Sequence, residues 1–212
     1  MKKYINIKNE IDYNKLKEPA EVIKQGGIVI FPTETVYGIG TNGMDAKAIE
    51  KLYKIKERPY NKPISLLVSD LNMVNLVAKD ITTLEYEIMR KFFPGPLTII
   101  LKKKNIVPDI LTSGQDTIGI RIPSGKIARK LIEYVGKPIA TSSANISGKP
   151  SKTNIKNVME ELEEQADYFI DGGKSEIGIS STVIQVINGI PNILREGSIS
   201  IEEIKKVSDY IN

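Results

Sequence analysis

Short apolar runs alternate with amphipathic stretches along almost the whole of this chain, and that alternation constrains the fold more than any other feature. Short runs rich in aliphatic and β-branched residues, bounded by Gly, Pro, Asn or Asp, form strands. Apolar residues recurring every third or fourth position form amphipathic helices. On this basis strands are expected at residues 28–31, 64–68, 97–101, 118–122, 139–141, 168–171, 181–187 and 192–194. Asp45 can cap a helix that places Ala46, Ile49, Leu52 and Tyr53 on one face. Further helices are expected at 82–92, stopped by Pro94-Gly95-Pro96, from Ser124 to about 135, at 153–165 and at 201–210. Such alternation gives an α/β fold. Asn188-Gly189 between two β-like runs signals a hairpin, so the sheet should be mixed rather than all parallel. No repeat or low-complexity linker interrupts the pattern, and residues 1–212 read as a single domain.

The composition then limits the chemistry. The 212 residues include no Cys and no His. Disulfides, thiolate nucleophiles, Ser-His-Asp arrangements and His or Cys metal sites are thereby excluded. An enzyme built from this chain works with Lys, Arg, carboxylates, hydroxyls and backbone amides, a set suited to positioning and charge stabilisation. No apolar run approaches the ~18 residues of a membrane span. The N-terminus lacks the apolar stretch of a signal peptide, so a cytoplasmic protein without membrane contact is expected. A net charge of +4 is a mild bias toward anionic partners.

Polar clusters gather where strands end. Gly38-Ile39-Gly40-Thr41-Asn42-Gly43 matches G-x-G-x-x-G, but residues 32–37 separate it from the preceding strand. A dinucleotide fingerprint follows its strand directly, so a glycine-permitted loop is the better reading. Lys56-Glu57-Arg58-Pro59-Tyr60-Asn61-Lys62-Pro63 closes the Asp45 helix. Its cations can simply complement the helix dipole, or they can form an anion clamp stiffened by two prolines. Residues 141–151 carry five hydroxyls and an amide after a strand. That is either an ordinary Ser-rich loop or a ligand loop at the carboxyl end of a strand. Arg121 shares a strand face with Gly119 and Thr117, because side chains alternate.

Taken in order, Pro32-Thr33-Glu34-Thr35-Val36-Tyr37-Gly38, Lys56-x-Arg58, Pro94-Gly95-Pro96-Leu97-Thr98, Gly119-Ile120-Arg121-Ile122-Pro123 and Ser143-Ala144-Asn145-x-Ser147-Gly148 strongly resemble the YrdC-like threonylcarbamoyl-AMP synthase family. The resemblance runs from about residue 13 to residue 197. It implies a twisted open mixed α/β sheet, flanked by helices, around a basic concave pocket. Longer members carry a further C-terminal domain, and this chain resembles the short catalytic form. The implied reaction joins L-threonine, bicarbonate or CO₂, and ATP into threonylcarbamoyl-AMP and pyrophosphate. A separate transferase would then modify adenosine in tRNA. Mg²⁺ would be held mainly by the ATP phosphates, with no metal site of the protein's own.

Carried over by motif, Lys56 and Arg58 would be catalytic. ATP would be bound by Arg58, Lys62, Thr117, Ser143, Asn145, Ser151 and Arg195, and threonine by Thr35, Arg121, Thr141 and Ser181. The chain departs from some relatives at Lys62, where they have Asn, and at Leu67, where they have His. The alternative functional reading is a non-catalytic RNA-binding module using the same basic concavity, and weak RNA binding could accompany the enzyme. A related carbamoyl-adenylate former that takes carbamoyl phosphate is a third reading.

Overall fold

The computed structural model describes residues 3–8 and 12–209. The elements are β1 (Lys3–Asn6), a 3-10 turn (Tyr13–Leu16), α1 (Lys17–Lys24), β2 (Val29–Phe31), β3 (Gly38–Asn42), α2 (Ala46–Ile55) and β4 (Ser65–Leu67). Then come α3 (Leu71–Val77), α4 (Thr83–Phe92), β5 (Leu97–Lys102), α5 (Asp109–Thr112), β6 (Thr117–Arg121), α6 (Lys126–Val135) and β7 (Ile139–Ser143). The chain continues through α7 (Ile155–Leu162), β8 (Tyr168–Asp171), β9 (Thr182–Ile187), β10 (Ile190–Arg195) and α8 (Ile201–Asp209).

The strands form one sheet in the order β1-β8-β2-β3-β7-β4-β6-β5-β9-β10. β1 and β2 both pair in parallel with β8, as β4 does with β6 and β5 with β9, while the other neighbours are antiparallel. The mixed α/β sheet expected from the alternation is therefore the fold. Ile39, Leu66, Ile99, Ile120 and Ala140 lie wholly buried on one face, against the helices. Asn188 and Gly189 both take positive φ, the requirement of a tight I′ hairpin turn between β9 and β10.

Several boundaries follow from capping. Asp45 accepts hydrogen bonds from the amides of Lys47 and Ala48 and starts α2. Thr82 and Glu85 form a reciprocal capping box on α4. α7 starts at Ile155 rather than 153, because Asn154 supplies the cap. α6 starts at Lys126, not Ser124. There the cap is a carboxylate from far away in sequence: Glu34 accepts from the amides of Ser124 and Gly125 at 3.0 and 3.2 Å. The expected end of the last helix at Tyr210 lies outside the described residues.

The largest correction concerns the glycine run. Residues 38–42 are not a loop but β3, wholly buried and paired with both β2 and β7. Alternation was hidden because Gly38 and Gly40 contribute no side chain to one face. A Cβ on Gly40 would come within 2.8 Å of Ile139 Cγ2 and 2.9 Å of the Thr141 hydroxyl. The glycines are there for close packing of strands, not for phosphate.

Gly197 is tighter still. A Cβ there would lie 2.3 Å from the Thr182 amide nitrogen and 2.5 Å from the Ser180 carbonyl, both backbone. Gly197→Ala is expected to lose about 1–3 kcal/mol, measured as a lower urea midpoint.

Candidate active site

One face of the sheet forms the floor of a cleft. Strand registers put Gly38 opposite Ser143, Ser65 opposite Thr141, and Leu67 opposite Arg121. Side chains alternate along each strand, so these residues share the face away from the buried aliphatic layer. Thr98 at the start of β5 and Ser181 just before β9 join them, their hydroxyls 2.8 Å apart. Thr33, Thr35, Val36, Tyr37, Arg58, Pro63, Ser180 and Arg195 wall the cleft, and no carboxylate is among its lining residues.

Arg58, Arg121 and Arg195 bring three guanidinium groups to this one space. Each is held by carbonyls. Arg58 donates to the carbonyls of Lys62 and Pro63, both at 2.8 Å. Arg195 donates to the Ser181 carbonyl at 2.8 Å, reaching it across a bulge between Ile193 and Arg195. Arg121 donates through Nε to Gly95 O at 3.1 Å and through Nη2 to Glu34 at 2.7 Å. Burial, then Arg121 and then Arg58, push the Arg195 pKa below its usual value. Cations that repel one another across an acid-free cleft leave a field that an anion would relieve.

Lys56 does not line the cleft. It is 1% exposed, and its Nζ donates to the carbonyls of Ser143 and Asn145, both at 2.5 Å. Lys56 thus fastens the loop after β7 to the end of α2. Burial, reinforced by Arg58 and opposed by Glu161, holds its pKa down to about 7.

Of the residues singled out from the sequence, Thr35, Arg58, Arg121, Thr141, Ser143, Ser181 and Arg195 meet in the cleft. Five do not line it. Besides Lys56, Asn145 is buried and spends its amide on the carbonyls of Ile146 and Lys149. Lys62 is exposed, and its carbonyl serves Arg58 and Tyr53. Thr117 pairs with Lys102 at the far end of β6. Ser151 stands at the margin, its hydroxyl 3.4 Å from that of the lining residue Ser180.

The family model for the Sua5/YciO/YrdC domain, described as "Telomere recombination", matches residues 21–197. The chain belongs to the Sua5/YciO/YrdC family. Threonylcarbamoyl-AMP synthase of Pyrococcus abyssi is 41% identical over 203 residues, covering 96% of this chain and 60% of the relative. A putative threonylcarbamoyl-AMP synthase of Methanocaldococcus jannaschii is 41% identical over 201 residues, 93% of this chain and 94% of the relative. The crystal structure of P. abyssi Sua5 complexed with L-threonine superposes with a TM-score of 0.93 at 41% identity, over 96% of this chain and 60% of that one. The chain thus spans about 60% of the length of the P. abyssi protein.

Within this Sua5/YciO/YrdC domain, sequence reasoning passed over Glu34, which the structure makes central. Glu34 and Arg121 form a buried pair with side chains 5% and 8% exposed. Burial alone would raise the Glu34 pKa, but Arg121 and the Ser124 amide outweigh it and hold the carboxyl below its usual range. The signal was present, as an acid inside a polar run directly after a strand. Its partners, however, lie almost ninety residues away along the chain. Thr98 was passed over for the same reason, its partner Ser181 lying 83 residues on. Leu67 also faces the cleft, an apolar patch among hydroxyls. Among the described residues, no group of three or more Asp or Glu side chains could hold a metal ion. No described helix is long and apolar enough to cross a membrane.

Proposed function

We propose that this chain is a threonylcarbamoyl-AMP synthase, a nucleotidyltransferase that uses ATP, L-threonine and bicarbonate. The observation that carries this reading is the meeting of three guanidiniums with a ring of hydroxyls in one acid-free cleft. The names of the P. abyssi and M. jannaschii relatives support it, as does the threonine complex of the former. The described residues serve as one catalytic domain of a cytoplasmic protein. Its product would pass to a separate tRNA threonylcarbamoyl transferase.

The roles divide by position. Arg58, Arg195 and Ser143 take the triphosphate, with Ser151 at the margin. Arg121 takes the threonine carboxylate as a planar fork, and Thr35, Thr141 and Ser181 surround the rest of the amino acid. Lys56 and Asn145 act from behind, by shaping the Ser143 loop, while Lys62 and Thr117 contribute backbone rather than side chain. Mg²⁺ would arrive on the ATP phosphates, which need no carboxylate cage from the protein. The amine and bicarbonate condense to a carbamate with loss of water. A carbamate oxygen then bonds to the α-phosphorus as its bond to the pyrophosphate oxygen breaks. An anion attacks an anion here, so the cleft's positive field and the fixed placement of the two partners supply the catalysis. A purely RNA-binding module is less well supported, because the strongest cations face a recess whose hydroxyls suit a small polar ligand.

Purified protein given ATP and bicarbonate should release pyrophosphate only when L-threonine is added. Release that ignores threonine, or no release at all, would reject the reading.

Lys56 gives a second expectation. A bound polyanion favours its ammonium form, so nucleotide binding above pH 7 should draw a proton onto the protein. Calorimetry in buffers of different ionisation enthalpy should detect this uptake, and ATP affinity should fall as pH rises through about 7.

A further inference from the structure

The loop after β7 is held by two elements. The end of α2 holds it through Lys56, whose Nζ donates to the carbonyls of Ser143 and Asn145 and whose own carbonyl accepts from the Ser147 amide at 2.9 Å. α7 holds it through Glu161. One oxygen of that carboxylate accepts from the amide of Ile146, which stands between the Asn145 and Ser147 that Lys56 grips. The other oxygen lies 3.4 Å from Lys152 Nζ and 4.0 Å from Lys149 Nζ. The Glu161 side chain is 10% exposed, while Glu160, Glu163 and Glu164 beside it all face solvent.

A carboxylate taken out of water is costly unless it is paired and hydrogen-bonded. Here residues 146–152 meet both conditions. Burial alone would raise the Glu161 pKa, but the Ile146 amide, Lys152 and Lys149 outweigh it and hold the carboxyl below its usual range. Its negative charge is therefore constant through the neutral range. Lys56 is the nearby group whose charge is not constant. Burial and the Arg58 guanidinium both disfavour its ammonium form, and Glu161 is the acid that opposes them. That ammonium matters to the cleft. Charge-assisted bonds are roughly twice as strong as neutral ones, and those to Ser143 and Asn145 hold the loop that brings Ser143 to the cleft wall.

We infer that Glu161 is a positioning residue: it pins the loop that carries Ser143 and supplies the counter-charge to the Lys56 ammonium beneath that loop. This role rests on the proposed function and adds to it a residue that does not line the cleft. Its two parts separate chemically, because the Ile146 amide needs an oxygen whereas Lys56 needs a charge.

Glu161→Gln keeps the oxygen and removes the charge, and Glu161→Ala removes both. Calorimetry should follow ATP affinity from about pH 5.5 to about pH 9, with the melting temperature of each variant measured alongside. The titration of ATP itself is common to all the proteins, so only differences between their curves are read. In the unaltered protein, affinity falls as pH rises through about 7. In Glu161→Gln, affinity at the acid end should stay within about twofold, while the midpoint of the fall moves down by about half a pH unit or more. Glu161→Ala should shift the midpoint likewise and also lose affinity at the acid end, where the Ile146 amide lacks its acceptor. A Glu161→Gln curve that overlays the unaltered one overturns the inference. So does an equal loss at every pH, which would make the carboxylate a structural clamp alone, and so does an unaltered protein whose ATP affinity ignores pH. Should the Glu161 variants fail to fold, Lys152→Met leaves the Ile146 bond intact and uncovers the carboxylate's charge. It should move the midpoint upward, and an unmoved midpoint overturns the inference. A protein that binds no ATP, and releases no threonine-dependent pyrophosphate, instead defeats the functional reading beneath it.

Discussion

Replacing Arg58 by alanine should lower turnover by about 10²–10³-fold, the loss typical of removing one strong charge-stabilising donor from an active site. The guanidinium touches the carbonyls of Lys62 and Pro63 and the Tyr53 side chain, beside a mostly exposed segment held by its prolines. The fold should therefore survive, with the melting temperature within a few degrees of the unaltered protein. Arg58→Lys should recover little, since an ammonium cannot span both carbonyls and still present a planar fork. Lys56 behaves differently. Its removal leaves the Asn145 carbonyl without its Lys56 donor, at about 1–3 kcal/mol, and the Ser143 carbonyl with only the Asn145 amide, so Lys56→Ala should damage stability as well as activity. Measuring kcat beside a urea midpoint separates the two cases. Unchanged turnover in Arg58→Ala would remove the residue from the chemistry.

Glu34→Ala should be the most destabilising single change near the site. It strands the Arg121 charge where it is 8% exposed and frees two amides at the start of α6. Breaking a buried pair from one side typically costs about 3–5 kcal/mol. Acid should act in the same way. The folded-state pKa of Glu34 lies below its unfolded value. Its stabilisation is then present in full above the unfolded value and is lost as pH falls through the folded one. Glu34→Gln should flatten the acid limb of a stability-against-pH curve. An acid limb unchanged by that substitution would mean the pair contributes nothing.

Much of the scaffold was legible in the sequence because it rests on local rules. Apolar alternation located β2, β5, β6, β8 and β9, Asp45 announced α2 by capping chemistry, and Pro94-Gly95-Pro96 marked the end of α4. β3 was not legible, because its glycines erase the alternation that marks a strand. β1, α1, α3 and α5 were missed because they are short, and tertiary packing rather than a local pattern sustains them. Within the site, Arg58, Arg121, Ser143 and Arg195, named by motif, share one cleft. What the sequence could not carry was direction. Lys56 looks like any clamp lysine until its ammonium is found beneath a loop. Glu34 looks like a loop acid until α6 and β6 converge on it.

The proposed reaction needs a triphosphate and an amino acid side by side in this cleft. Its most direct test is a crystal structure of the protein with L-threonine and a non-hydrolysable ATP analogue. The threonine carboxylate should lie on Arg121, the phosphates between Arg58 and Ser143, and the amine within a few ångströms of the α-phosphorus. Two ligands in separate recesses, or an amino acid bound away from Arg121, would contradict it.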